Sequence, residues 1–196
     1  MFGTTSSVDN AAALLNDLNI DTEHVSSDLK LLNSAESRYL KDIKVSLSSA
    51  LQAPSLQRKE SMLIALATAV NEKNELLKNS FIEKSQEEGA SEKEIAEAIA
   101  CASLLSANNV YYRFRHFMNE EFYNNAQAGI RMNIMASPVL GKELFELISI
   151  AISAVNGCEM CVKSHEKTLV THGTSKQRIH DAVRLAAVVR SLSVIV

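Results

Sequence analysis

Long stretches of the chain space apolar residues three and four apart and contain almost nothing that breaks a helix. Its 196 residues include 6 glycines and 2 prolines, and no segment shows the apolar–polar alternation of a half-buried strand. Ala, Leu, Ile, Glu and Lys dominate, residues that lose little conformational freedom in a helix. The pattern predicts an all-α fold with helices near 8–18, 27–50, 55–71, 72–88, 91–106, 108–124, 138–155, 158–172 and 175–194. Local punctuation supports these bounds. Ser91 precedes Glu94 at capping-box spacing. Ser137 stands before Pro138 as a cap residue before a first-turn proline. Gly157 and Gly173 fall where a helix ends in the left-handed conformation.

The sequence also echoes itself. EEGASEKEIAEAIACA (87–102) is similar to THGTSKQRIHDAVRLAA (171–187), with Gly173 84 residues after Gly89, and LATAVN (66–71) returns as AISAVN (151–156) at an offset of 85. This suggests two similar halves, about 45–107 and 137–196, in one domain spanning 1–196. At the 84-residue offset, Asn74, Leu77 and Phe81 stand where the second half has Cys158, Cys161 and His165. The first half then has the scaffold without the chemistry.

Composition narrows the functional classes. With 46% hydrophobic residues the chain can build its own core. A net charge of −3 gives no footprint for nucleic acid. The interleaved NNVYYRFRHFMNEEFYNN (108–125) therefore reads as a helix packing its aromatics inward or against another subunit. No stretch reaches the roughly 18 apolar residues of a membrane span, and MFGTTSSVDNAAALL has no basic segment ahead of an apolar run. The apolar tail LAAVVRSLSVIV, interrupted by Arg190, reads as a core or subunit-contact helix. Three cysteines, two of them three residues apart, do not make a secreted disulfide framework. A cytoplasmic location is expected.

The chemistry concentrates in ELFELISIAISAVNGCEMCVKSHEK, 143–167. Cys158, Cys161 and His165 stand at i, i+3 and i+7, so all three line one helix face. Asn156-Gly157 ends the preceding helix and puts Cys158 in the next helix's first turn, where free N–H groups favour a thiolate. The stripe thus provides a nucleophile, a second thiol and a base. Glu146 interrupts a strongly apolar helix, which is costly unless the carboxylate has a partner. A chain reversal at Gly157 brings it within about one helical turn of His165, at ~1.5 Å rise per residue. There it would fix the imidazole tautomer while His165 takes a proton from a thiol. Other readings compete: a non-catalytic zinc-binding or regulatory protein using the Cys/Cys/His cluster, with His172 further along the same face, or two structural cysteines. Cys101 reads as a plain core residue, and a partly buried Glu146 bonded to a serine also fits.

Glu146 followed by C-x-x-C-x-x-x-H at 158–165, with the blocks NNVYYRFRHF (108–117) and RMNIMASP (131–138), resembles the AhpD-like group of the carboxymuconolactone decarboxylase-like superfamily. The resemblance covers most of the chain beyond about residue 40. It implies an AhpD-like helical fold, a homotrimer and an alkyl hydroperoxide reductase of peroxiredoxin type. In that scheme Cys161 attacks the hydroperoxide, Cys158, nearer the surface, resolves it and exchanges with partner thiols, and Glu146 and His165 relay protons. No nucleotide or flavin motif is visible, so electrons must arrive through thiols; no tightly bound cofactor and no metal are expected. The implied reductant is dihydrolipoamide, carried by a lipoylated dihydrolipoamide acyltransferase, and the implied oxidant is a hydroperoxide or an AhpC-like peroxiredoxin. The superfamily's decarboxylase activity is a poorer match to a redox pair. One departure is Met160, where the family pattern often has a second relay histidine; a thioether transfers no proton, so water or His165 must bridge to Cys161.

Overall fold

The computed structural model describes residues 9–196; position 8, where the first helix is expected to begin, lies outside them. Among the described residues every regular element is helical: α1 (Asn10–Asp17), α2 (Ser27–Ser34), α3 (Tyr39–Leu51), α4 (Arg58–Asn71), α5 (Glu75–Glu87), α6 (Glu92–Met118), α7 (Glu121–Asn125), α8 (Lys142–Val155), α9 (Glu159–Thr171) and α10 (Lys176–Ser193), with short 3-10 turns at Thr22–His24 and Asn133–Met135. The all-α expectation holds. None of these helices is long and apolar enough to cross a membrane.

Two helices form the centre. Every residue of α4 from Ser61 to Ala69 is buried, and α8 is buried from Leu144 to Ser153 except at Glu146. A helix that is apolar all round must be enclosed on all sides. Here α4 and α8 pack on each other, α10 lies against both, and α6 covers them from another side. Helix α10 contributes Ile179, Ala182, Leu185, Ala186, Val189 and Leu192 to the core, so the apolar tail is a core element. Helices α4, α5 and α6 open at Arg58, Glu75 and Glu92, and α8, α9 and α10 open 84 residues later at Lys142, Glu159 and Lys176.

Three expected boundaries are wrong. The segment 27–50 is two helices, because Ser37 N–H bonds back to the Leu32 carbonyl at 2.9 Å and Glu36 takes φ +49°. The Asn33 side chain accepts from Ala11 N–H at 3.4 Å, fixing the end of α2 to α1. Conversely, 91–106 and 108–124 are largely one 27-residue helix, α6, since no Gly or Pro lies between Gly89 and Gly129. It stops where Asn119 turns left-handed at φ +48°. Pro138 does not open a helix: the Glu97 carboxylate accepts from Leu140 N–H at 2.7 Å, and Gly141, at φ +77°, is the N-cap of a helix beginning at Lys142.

The aromatic stretch was expected to pack inward or against another subunit. It does not pack inward: Phe117 and Phe122 are 73% and 75% exposed, and Val110, Phe114 and Met118 are also exposed. The far end of α6 runs past the helices that cover its first half, so these side chains meet no core.

Candidate active site

The site is built on the turn between α8 and α9. Gly157, at φ +68°, reverses the chain in a backbone conformation that a side chain would strain. The turn is held from two sides. Asn71, the last residue of α4, and Asn156, the C-cap of α8, exchange amide hydrogen bonds at 3.0 Å in each direction. The Asn156 amide also donates to Asn109 Oδ1 on α6 at 2.9 Å, and Arg113 Nη1 donates to the Asn156 carbonyl at 2.5 Å.

Cys158 is the N-cap of α9, and its sulfur accepts from the Cys161 N–H at 3.4 Å. The sulfurs of Cys158 and Cys161 are joined, with Cα atoms 5.3 Å apart. Across the turn, Glu146 Oε2 lies 2.7 Å from His165 Nδ1, with side-chain exposures of 17% and 12%. The reversal therefore brings Glu146 and His165 together, and the carboxylate that interrupts the apolar face of α8 has an imidazole for a partner. Among the described residues no serine hydroxyl bonds to it.

One placement reverses an expectation. Cys158 was to lie nearer the surface, yet it is 1% exposed and Cys161 is 7% exposed. Helix α6 packs against α9, and its Arg113 guanidinium stands beside the Gly157 turn, 4.0 Å from where a Cβ would be. Cys161, in contrast, lines a cavity of about 400 Å³ with Leu105, Asn108, Tyr112, Met132, Met135, Met160, Ser164 and His165. The cavity walls are mostly apolar, and Met160 and His165 both reach it. A second, smaller cavity lies on the far side of Glu146 and is lined also by Lys142, Glu143 and His172.

His172 does not join the cysteines; it caps the other end of α9. Among the described residues no three His, Cys, Asp or Glu side chains converge to hold a metal. Cys101 is fully buried and its thiol is pushed up to about 12, chiefly by burial.

Sequence reasoning missed the α6 wall of the cavity, Leu105, Asn108 and Tyr112, and the two methionines of the segment before α8. A signal existed. Asn108 and Asn109 are poor helix formers inside an uninterrupted helix, and both are buried.

The sequence profile of the carboxymuconolactone decarboxylase family matches residues 123–194, which include all four candidate residues. Over 154 residues the chain is 41% identical to the alkyl hydroperoxide reductase AhpD of Anaeromyxobacter dehalogenans, covering 79% of this chain and 82% of that one. It is 37% identical over 158 residues to the AhpD of Coxiella burnetii, covering 79% and 89%. With the AhpD of a further Anaeromyxobacter strain the identity is 34% over 154 residues, covering 79% and 83%. The chain thus belongs to the AhpD-like group of the carboxymuconolactone decarboxylase family.

Proposed function

We propose that this chain reduces alkyl hydroperoxides through the Cys158–Cys161 pair and draws its electrons from dihydrolipoamide. The observation that carries the reading is the placement of Cys161 on an apolar cavity beside His165, whose Nδ1 is tied to Glu146 at 2.7 Å. With Nδ1 engaged, Nε2 is the ring nitrogen left for proton transfer at the cavity. The relatives, named as alkyl hydroperoxide reductases, support the same chemistry.

In the reduced protein the Cys161 thiolate attacks the distal oxygen of the hydroperoxide. The O–O bond breaks, the alkoxide takes a proton through His165 and leaves as alcohol, and Cys161 becomes a sulfenic acid. The Cys158 thiol attacks that sulfur, water leaves, and the disulfide forms. A dithiol then attacks the disulfide, restoring both thiols and leaving as its own cyclic disulfide. Glu146 acts on His165, holding its tautomer and balancing its charge while it carries a proton. Met160 contributes no proton, so the Glu146–His165 pair carries the whole relay. The Arg113-bound turn must open for attack at Cys158, whereas Cys161 is reachable from the cavity.

By the same reading the oxidant is a hydroperoxide or the disulfide of an AhpC-like peroxiredoxin, and the electron donor is the lipoyl group of a dihydrolipoamide acyltransferase. The protein works in the cytoplasm as a homotrimer, with the exposed aromatic end of α6 as a candidate contact face.

Alkylation and mass spectrometry before and after one equivalent of peroxide test this directly. Loss of two thiols with a linked Cys158–Cys161 peptide, reversed by dihydrolipoamide, is expected. Reduction by dihydrolipoamide no faster than by glutathione would remove the donor. Unchanged thiols with one equivalent of bound zinc would replace the reading with the metal-binding one.

A further inference from the structure

The cavity beside Cys161 holds one polar group that the fold leaves unsatisfied. Asn108, on α6, is 5% exposed, and its Oδ1 has no hydrogen-bond partner among the described residues. Its Nδ2 donates only to the Met132 sulfur, at 3.2 Å, and a thioether is a weak acceptor. Neighbouring Asn109 shows what the fold does with a structural amide: its Nδ2 donates to Ser153 Oγ at 3.0 Å and its Oδ1 accepts from Asn156. A buried acceptor without a donor destabilises a protein, so its presence in a cavity wall is explained by a ligand that donates to it.

The rest of the wall defines that ligand. Leu105, Met132, Met135 and Met160 provide apolar surface, Cys161 the nucleophile and His165 the proton carrier. The matching molecule is an apolar body with one hydrogen-bond donor next to the atom that Cys161 attacks. An alkyl hydroperoxide has this form, since its distal oxygen carries the only O–H and is also the electrophile. Dihydrolipoamide also has an N–H donor in its amide, but at the far end of an alkyl chain from its reacting thiols.

We infer that Asn108 is a substrate-positioning residue whose Oδ1 accepts the O–H of an alkyl hydroperoxide and aims its distal oxygen at Cys161. The inference rests on the hydroperoxide reading above and adds a residue to it. In the step so positioned, the sulfur–oxygen bond forms as the O–O bond breaks, the hydroxyl oxygen stays on Cys161, and the alkoxide leaves as alcohol with the proton from His165. Asn108 gives up no proton and forms no bond.

The test separates the two half-reactions in the full-length protein with Asn108→Leu, close in shape and lacking both polar atoms, and Asn108→Ala. Disulfide formation by cumene hydroperoxide is timed by quench-flow alkylation, and reduction of the preformed disulfide is timed with dihydrolipoamide. Asn108→Leu is expected to slow the peroxide step about tenfold, the worth of one hydrogen bond, and to leave the reduction step unchanged. Its thermal midpoint should not fall, because an unpartnered acceptor has been removed. An unchanged peroxide rate overturns the inference, as does an equal fall in both steps. A fall confined to reduction assigns Asn108 to the amide of the electron donor instead. If neither variant folds, Asn108 is structural and the inference is wrong. Cys161→Ser is the separate control. Peroxide turnover surviving in it sinks the hydroperoxide reading itself, whereas a dead Cys161→Ser beside a fully active Asn108→Leu sinks only the role of Asn108.

Discussion

Replacing Glu146 by Gln keeps the size of the side chain and removes its charge, and the structure sets the scale of the loss. Glu146 and His165 meet at 2.7 Å in a largely enclosed site, with side-chain exposures of 17% and 12%. Enclosure strengthens the pairing relative to a surface ion pair. A hydrogen bond to a charged partner contributes about 1.5–3 kcal/mol, and each ~1.4 kcal/mol is tenfold in rate. If that full interaction is gained only when His165 carries a proton, Glu146→Gln slows peroxide reduction about 10- to 150-fold. Because Gln can also donate to Nδ1, the variant favours the wrong tautomer as well, which places the result toward the upper end. The chain has no tryptophan, so intrinsic tryptophan fluorescence offers no signal; quench-flow with thiol alkylation reads the step directly. Glu146→Asp, which keeps the charge but shortens the reach, should fall between wild type and Gln. A Glu146→Gln protein that folds normally and reduces peroxide within twofold of wild type would refute the relay.

Three further outcomes follow from other parts of the structure. Burial pushes the Cys101 thiol up to about 12, so iodoacetamide at pH 8 should leave Cys101 unlabelled in the native protein and label it in denaturant; native labelling would show that its region opens. Removing the Arg113 bond to the Asn156 carbonyl, 2.5 Å, loosens the turn that leads into the buried Cys158. Arg113→Ala should therefore speed disulfide reduction by dithiothreitol about three- to tenfold, the equivalent of ~1 kcal/mol for one hydrogen bond; an unchanged rate would mean that attack enters only through the cavity. The Lys59 ammonium at 2.8 Å, then the Ser91 N–H, hold the Glu94 carboxyl down at about 2 from 4.5. A carboxyl depressed in the folded state stabilises it above its unfolded value, and that contribution is lost as pH falls through the folded value. Wild type should lead Glu94→Gln in urea midpoint above pH 5, with the gap closing between pH 4.5 and about 2; a gap that persists at pH 2 would contradict the charge argument.

Residues close in the chain determine one another, and these relations were legible. The spacing of Cys158, Cys161 and His165 requires a common helix face, Gly157 permits the reversal, and counting helical rise from that reversal puts Glu146 beside His165. Ser91 and Glu94 form their capping box at 2.8 and 3.3 Å. Such features depend on a few dihedral angles and fixed rises, which one segment contains in full. The misread boundaries show where this ends. Ser137-Pro138 carries a local helix-start signal, but a hydrogen bond from Leu140 to Glu97, 43 residues away, moves the start to Lys142.

Burial was decided by the tertiary structure alone. Periodicity identifies an apolar face without saying what reaches it, so it left open whether the aromatic end of α6 packs inward or against another subunit, and that end stands exposed; Cys158, which the resemblance placed nearer the surface, is 1% exposed. The cavity beside Cys161 is assembled from α6, α9 and the segment before α8. Its unpartnered Asn108 carbonyl has meaning only once those three are in place, since a donor is missing only after every neighbour is known. The sequence by itself determined which candidate residues share a helix face and which turn brings Glu146 toward them. The packing of distant helices decided which of their atoms a substrate can reach, because enclosure is a property of all the surrounding segments together.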